Sequence, residues 1–261
     1  VEPLRVVLSG ATGRMGLVLA RLIHEDDGIE LLGGIGRVPA AGCDVGCPLV
    51  EVPETAGAWI READVVIDFS SPELLARLVE GTALAGRALV VGTTGLGAEG
   101  ERLLDAAARE SPVLHAANFS IGVNLLLALA ERAAAVLGAG YDAEIVEAHH
   151  RRKADAPSGT ALALGEAVAR GREVALADVR IDGRSGNAGA RPAGEIAFHA
   201  VRGGDIVGEH RLMLIGERER VELAHVAQDR ALFAEGALLA ARWLAGKPAG
   251  RYTMRDVLGL A

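Results

Sequence analysis

Residues 4–24, LRVVLSGATGRMGLVLARLIH, read as strand, glycine turn and helix. Leu4 to Ser9 (LRVVLS) is mostly apolar and of strand length, and reads as a buried strand. From Arg14 to His24, Met15, Val18, Leu19 and Leu22 fall on one helical stripe. Between the two lies Ser9-Gly10-Ala11-Thr12-Gly13-Arg14-Met15-Gly16, with glycines at 10, 13 and 16. Small residues there let the backbone turn tightly and approach a pyrophosphate. The helix start then offers unpaired N–H groups and the positive end of its dipole. The same glycines also suit a plain strand-to-helix turn, and the spacing departs from strict G-x-G-x-x-G, with Ala11 in the gap.

The pattern repeats outward. Ile29 to Ile35 reads as a second strand, Asp64 to Ser70 as a third with Pro72 opening a helix, and Ala88 to Thr94 as a fourth with a helix to about Arg109. Val113 to Asn118 is a further short strand. Strands alternating with helices imply βαβ units and a parallel sheet. Residues 36–62 are glycine- and proline-punctuated and read mostly as loop. The second strand ends in Gly33-Gly34-Ile35-Gly36-Arg37, without the carboxylate that commonly holds ribose hydroxyls in such sheets. Arg37 could meet a 2′-phosphate, which would make NADPH at least as good as NADH, or stand as an ordinary solvated arginine. Gly92-Thr93-Thr94-Gly95 and Asn118-Phe119-Ser120 follow strands and lie where open α/β sheets bind ligands; turn chemistry and a helix cap at Ser120 would also account for them.

After Asn118 the texture changes. A helix spans about Ile121 to Leu137, a strand Tyr141 to Glu147, and a helix Gly159 to Arg170. Residues 178–193 read as a glycine- and arginine-rich loop. Runs at Glu195 to Val201, Glu209 to Ile215 and Glu219 to Val226 suggest an antiparallel or mixed sheet. A last helix, about Leu232 to Leu244, and a short tail follow. The expected class is α/β: a parallel-sheet domain followed by an α+β domain with a mixed sheet.

Composition bounds the function. The chain has 261 residues, 50% hydrophobic and 24% charged, enough apolar material for a core. No unbroken apolar run reaches the roughly 18 to 20 residues of a membrane span. Val1 to Ser9 has no basic region or cleavage site, so no signal peptide is expected. A net charge of −8 disfavours nucleic-acid binding. Cys43 and Cys47, the two cysteines, point to a reducing compartment, hence a cytoplasmic setting. Without a neighbouring histidine or second cysteine pair they predict no zinc site. Of 27 basic residues only Lys153 and Lys247 are lysines, so a retained lysine carries more information than any one arginine.

Lys153 lies in the densest polar stretch, Glu147-Ala148-His149-His150-Arg151-Arg152-Lys153-Ala154-Asp155-Ala156-Pro157-Ser158-Gly159-Thr160. Histidine delivers protons near neutral pH. On a continuing strand His149 and His150 point to opposite sides and take different jobs. Ser158, Gly159 and Thr160 open a helix whose first amides and hydroxyls suit a carboxylate. A basic loop before a capped helix is the alternative without function.

The ordered motifs GATGRMG, DFS, VGTTG, NFSIGVN, EAHHRRKADAPSGTA and VRGGDIVGEH resemble the dihydrodipicolinate reductase family across essentially the whole chain. The resemblance implies a Rossmann-like dinucleotide domain (1–120 and 230–261) and a substrate-binding, oligomerising domain (121–229) in a homotetramer. It implies NADPH- or NADH-dependent reduction of 4-hydroxy-tetrahydrodipicolinate, a cyclic dicarboxylate, to tetrahydrodipicolinate with loss of water, in lysine and diaminopimelate biosynthesis. His149 would be the general acid and Lys153 a second proton donor. His150, Ser158, Gly159, Thr160 and Arg230 would bind substrate. Gly10, Ala11, Thr12, Gly13, Arg14, Met15, Gly92, Thr93, Thr94, Ala117, Asn118, Phe119 and Ser120 would line the cofactor. Gly36 stands where many members have an acid.

Overall fold

In the computed structural model, which describes residues 2–37 and 45–260, the opening stretch forms strand β1 (Leu4–Ser9) and helix α1 (Arg14–His24). The chain then runs through β2 (Ile29–Ile35), β3 (Leu49–Val50), α2 (Gly57–Glu62), β4 (Val65–Asp68), α3 (Pro72–Leu84), β5 (Ala88–Val91), α4 (Gly97–Ala107) and β6 (Pro112–His115). Next come α5 (Ile121–Leu137), β7 (Asp142–His149), α6 (Gly159–Gly171), α7 (Leu176–Val179), β8 (Arg180–Asp182), β9 (Ile196–Arg202), β10 (Gly208–Ile215) and β11 (Arg220–Ala227). It ends with α8 (Ala231–Leu244), β12 (Gly250–Tyr252) and α9 (Met254–Leu258).

Two compact units result: residues 1–121 with 231–261, and residues 122–230. In the first, parallel strands lie in the order β12-β6-β5-β4-β1-β2-β3. This is a Rossmann-like order: the chain leaves β1 toward β2 and returns to its other side at β4, so a crevice forms beyond their C-terminal ends. Alternation on β1 sends Val6 and Leu8 into one core with α1 and α8, and Val7 into another with α2, α3 and α4. A sheet covered on both faces accounts for the apolar runs at residues 6–8, 65–67 and 88–91 at its centre.

The second unit carries a mixed sheet, β11-β10-β7-β9-β8, antiparallel at β11-β10-β7 and parallel at β7-β9-β8. Its inner face packs Ala143, Ile145, Ile196, Phe198, Leu212 and Leu214 against α5 and α6.

Four expectations change. Residues 36–62, expected as loop, contain β3, a 3-10 turn (Pro53–Ala56) and α2. These are too short for periodicity; β3 is two residues at the sheet edge and α2 buries only Ile60. Residues 178–193, also expected as loop, contain the end of α7 and the polar edge strand β8. The tail supplies β12, paired with β6 across a long sequence separation. Finally, the segment Ile121–Gly140 is long and apolar enough, by length and composition, to cross a membrane, with mean hydropathy 1.6. Counting unbroken runs misses it because Glu131 and Arg132 interrupt the run. Leu126, Ala130 and Ala134 of this helix belong to the second unit's core.

Candidate active site

In the first unit the glycine loop is shaped by backbone contact. Gly10 has φ +77°, and a Cβ there would lie 2.2 Å from the Phe69 carbonyl oxygen. A Cβ on Gly16 would lie 2.2 Å from the Gly10 carbonyl oxygen, so α1 can sit this close to the loop only with glycine. The amides of Gly10 and Ala11 donate to the Ile35 carbonyl at 2.8 and 3.1 Å, and that of Gly13 donates to the Gly10 carbonyl at 2.9 Å. Among the described residues no partner is seen for the amides of Thr12, Arg14 and Met15, and the N-cap Gly13 offers no side chain to satisfy them. That arrangement fits a phosphate at a helix N-terminus.

Beside the loop, Asp68 is fully buried at the end of β4. It accepts from the Ser70 and Thr93 hydroxyls, both at 2.5 Å, and Thr93 Oγ in turn accepts from the Ser70 amide at 2.9 Å. Burial pushes the Asp68 carboxyl up, against those hydrogen bonds. The network joins the ends of β4 and β5. It also commits the Thr93 hydroxyl proton to Asp68, so that hydroxyl is not a free donor for a ligand. Gly92 stands against the Phe69 ring, which a Cβ would reach at 2.2 Å. The Phe119 ring is buried, 5.5 Å from that of Phe69, and Asn118 Oδ1 accepts from the Ser120 amide at 2.8 Å. Phe119 is therefore a core side chain, while Thr94 and Ala117 are exposed. Gly36 lies beside Thr12, whose Oγ1 would be 2.9 Å from an added Cβ, and Arg37 is exposed. Cys47 is half-buried against the core; Cys43 lies outside the described residues.

In the second unit the strand period sets the site. Ala143 and Ile145 of β7 enter the core, and Glu147 and His149 continue the same face as its polar end. Register places His210 of β10 opposite Glu147, and Arg202 of β9 opposite His149. Glu147, 1% exposed, sits at the centre. Its Oε2 lies 2.6 Å from His149 Nδ1 and accepts from Arg202 Nη1 at 2.8 Å. Its Oε1 accepts from Arg202 Nη2 at 2.8 Å and from the Ser158 amide at 3.1 Å. Burial would raise the Glu147 carboxyl, but the hydrogen bonds from Arg202, His149 and Ser158 outweigh it and hold it below the usual range.

Ser158 caps α6, its Oγ accepting from the Ala161 amide at 3.2 Å and lying 3.1 Å from His210 Nε2. That hydroxyl is buried and engaged, so the open part of the helix start is Gly159, with Thr160 half-buried beside it. The His210 ring stands edge-on to that of His149 at 5.2 Å. Burial first, then the charge of His149, push His210 down to about 4. Lys153 Nζ pairs with Asp155 at 2.9 Å. Arg230 Nη2 reaches His150 Nε2 at 3.4 Å, and partial burial followed by the cations Arg152, Arg230, His149 and Lys153 lowers the His150 imidazole. The structure thus brings together His149, Ser158, Glu147, Arg202 and His210, and separately His150 with Arg230. Glu147, Arg202 and His210 were not among the expected site residues. Cross-strand register identifies Arg202 and His210, at which the family-like segment VRGGDIVGEH hinted; Glu147 opens the quoted segment EAHHRRKADAPSGTA, on the same strand as His149.

Two family profiles match the chain: dihydrodipicolinate reductase, N-terminus, over residues 4–119, and dihydrodipicolinate reductase, C-terminus, over residues 122–258. The chain belongs to the dihydrodipicolinate reductase family. Similar relatives include the 4-hydroxy-tetrahydrodipicolinate reductase of Parvibaculum lavamentivorans, 48% identical with 98% of each chain covered. That of Thiobacillus denitrificans is also 48% identical, again over 98% of each chain. Among solved structures, a dipicolinate-bound dihydrodipicolinate reductase from a Paenisporosarcina species superposes with TM-score 0.78 at 22% identity, covering 97% of this chain and 98% of that one. A biliverdin reductase from a Synechocystis species, in complex with biliverdin and NADP+, reaches TM-score 0.57 at 17% identity, covering 99% and 96%. The first likeness and the reductase profiles agree on the fold, and the two profile boundaries fall within a few residues of the junction between the compact units. Among the described residues no cluster of histidine, cysteine, aspartate and glutamate could hold a metal.

Proposed function

We propose that this protein reduces 4-hydroxy-tetrahydrodipicolinate to tetrahydrodipicolinate, with loss of water, using NADPH or NADH, in lysine and diaminopimelate biosynthesis. The observation that carries the reading is the buried His149, held by Glu147 at the polar end of an inner sheet face, next to a capped helix start. The relatives' name and near-complete coverage support the substrate.

The first unit would hold the dinucleotide, with the amides of Thr12, Arg14 and Met15 on its phosphates. Gly92, Thr94, Ala117 and Asn118 would lie toward the nicotinamide end. When bound, the reduced nicotinamide supplies a hydride. The second unit would hold the dicarboxylate. His149 delivers a proton to the substrate atom that gains electron density. Lys153, fixed by Asp155, serves as second donor and counter-charge. The amides of Gly159 and Thr160 bind one carboxylate at the positive end of α6. His150 and Arg230 bind the other, His150 as a neutral imidazole beside the guanidinium. Gly36 carries no carboxylate to meet ribose hydroxyls, and the exposed Arg37 follows it, which favours NADPH at least as much as NADH. A homotetramer built on the second unit's sheet accords with the exposed apolar side chains Val201, Val221 and Val226 on β9 and β11. A cytoplasmic setting follows from such a reaction.

The test generates the substrate in situ from pyruvate and aspartate semialdehyde with the preceding synthase and follows oxidation of NADPH and NADH. Turnover that is lost in His149→Gln supports the reading. An inactive wild-type enzyme, or a His149→Gln variant with unchanged kcat, overturns it.

A further inference from the structure

Glu147 has four hydrogen-bond donors on its two oxygens, which fills the acceptor capacity of a carboxylate. Arg202 and the Ser158 amide can only donate. With the carboxylate ionised and acceptor-only, the 2.6 Å contact to His149 requires the hydrogen to sit on Nδ1. Nε2 is then the nitrogen whose protonation can change without breaking this network. The space beside it is kept open by Gly208, where a Cβ would lie 3.1 Å from Nε2.

We propose that Glu147 is a positioning residue that fixes which nitrogen of His149 carries the transferable proton, and that it ties this imidazole to the start of α6. The inference rests on the reductase reading above, in which His149 is the acid. In the proton-transfer step the Nε2–H bond breaks. The electron pair stays on Nε2 and the proton goes to the electron-rich substrate atom. The imidazolium becomes a neutral imidazole that still carries Nδ1–H. Glu147 keeps all four hydrogen bonds on both sides of the step, so the site need not reorganise as the charge disappears. Through the Ser158 amide the same carboxylate also sets where the carboxylate-binding turn stands relative to the acid. Arg202 balances the buried charge; its Nη2 further donates to the Asp155 carbonyl at 2.6 Å and so holds the loop that carries Lys153.

The experiment combines kinetics with 15N spectra of histidine-labelled protein, the His149 signals being identified by their loss in His149→Gln. In wild type at alkaline pH, the neutral His149 ring should show a protonated Nδ1 and a bare Nε2. In Glu147→Gln that preference should weaken, kcat should fall about 10- to 100-fold, and KM for NADPH should stay within about twofold. A role confined to stability would leave the tautomer where it was. A bare Nδ1 in wild type overturns the proposal even if Glu147→Gln fails to fold. So does Glu147→Gln with wild-type kcat. If the wild-type enzyme turns over and His149→Gln does not, either of these results removes the role of Glu147 and leaves the reductase reading standing. An inactive wild type removes the reading itself.

Discussion

Substituting His210 by glutamine should flatten the acid limb of this protein's stability. His210 is 4% exposed on β10, in register with Glu147, and packed edge-on to His149. The titratable groups around it are Glu147, His149, Lys153 and, on the neighbouring strand, His225. Burial and the His149 charge lower it from 6.5 to about 4. Above pH 6.5 the ring is neutral both folded and unfolded, and its titration leaves stability unchanged. As pH falls, the unfolded chain takes up a proton that the folded site refuses, so stability is lost. With about 1.4 kcal/mol per pH unit of differential protonation, the loss reaches about 2 kcal/mol by pH 5 and about 3 kcal/mol near pH 4. Glutamine preserves an amide that can reach Ser158 Oγ but does not titrate. Urea unfolding of both proteins from pH 7.5 to 4.5 gives the stability difference at each pH, in which titrating groups distant from His210 cancel. The variant should be the less stable protein at pH 7.5, and the gap should close by about 2 kcal/mol at pH 5. A difference that stays constant across this range would refute the argument, because it would mean that burial does not keep His210 neutral.

Three further outcomes follow from the geometry. Gly16→Ala forces a Cβ against the Gly10 and Ala11 carbonyls, so it should cost roughly 1–3 kcal/mol in urea unfolding. It should also raise KM for NADPH well beyond its effect on kcat; wild-type values for both would show that the loop yields. Lys153→Arg retains the charge beside Asp155 but is larger and a far poorer proton donor, so kcat should drop about 10- to 100-fold. Near-normal turnover would reduce Lys153 to a counter-charge. Gly208→Ala crowds His149 Nε2 and should lower kcat up to about tenfold without changing KM for NADPH; an unaffected kcat would place the transferred proton elsewhere.

Much of the first unit was legible along the chain. Buried parallel strands read as apolar runs, and the bounds of β1, α1 and β2 agree with the structure. What escaped was short or polar: β3, α2, β8 and β12 exist because a neighbouring strand or core supplies partners. The scarcity of lysine singled out two positions with different fates. Lys153 is fixed by Asp155 in the candidate site, whereas Lys247 lies over the Trp243 ring at 4.2 Å and closes the turn after α8. Thr93, Phe119 and Ser158 were chosen for their places in motifs. Their side chains turn out to face the protein.

By itself, the order of residues determined the class of fold, the glycine loop and the helix start at Ser158, because each depends on local periodicity or on chemistry within a few positions; the roles expected of His149 and Lys153 came from the family resemblance of their motif. Only the tertiary structure decided what surrounds His149. Glu147 is two residues away, but Arg202 and His210 come from β9 and β10, at sequence separations of 53 and 61 positions, and meet it through strand register. Register is set by the packing of Ile145, Phe198 and Leu212 in the core beneath, and a slip of one residue would turn every one of these polar groups to the other face.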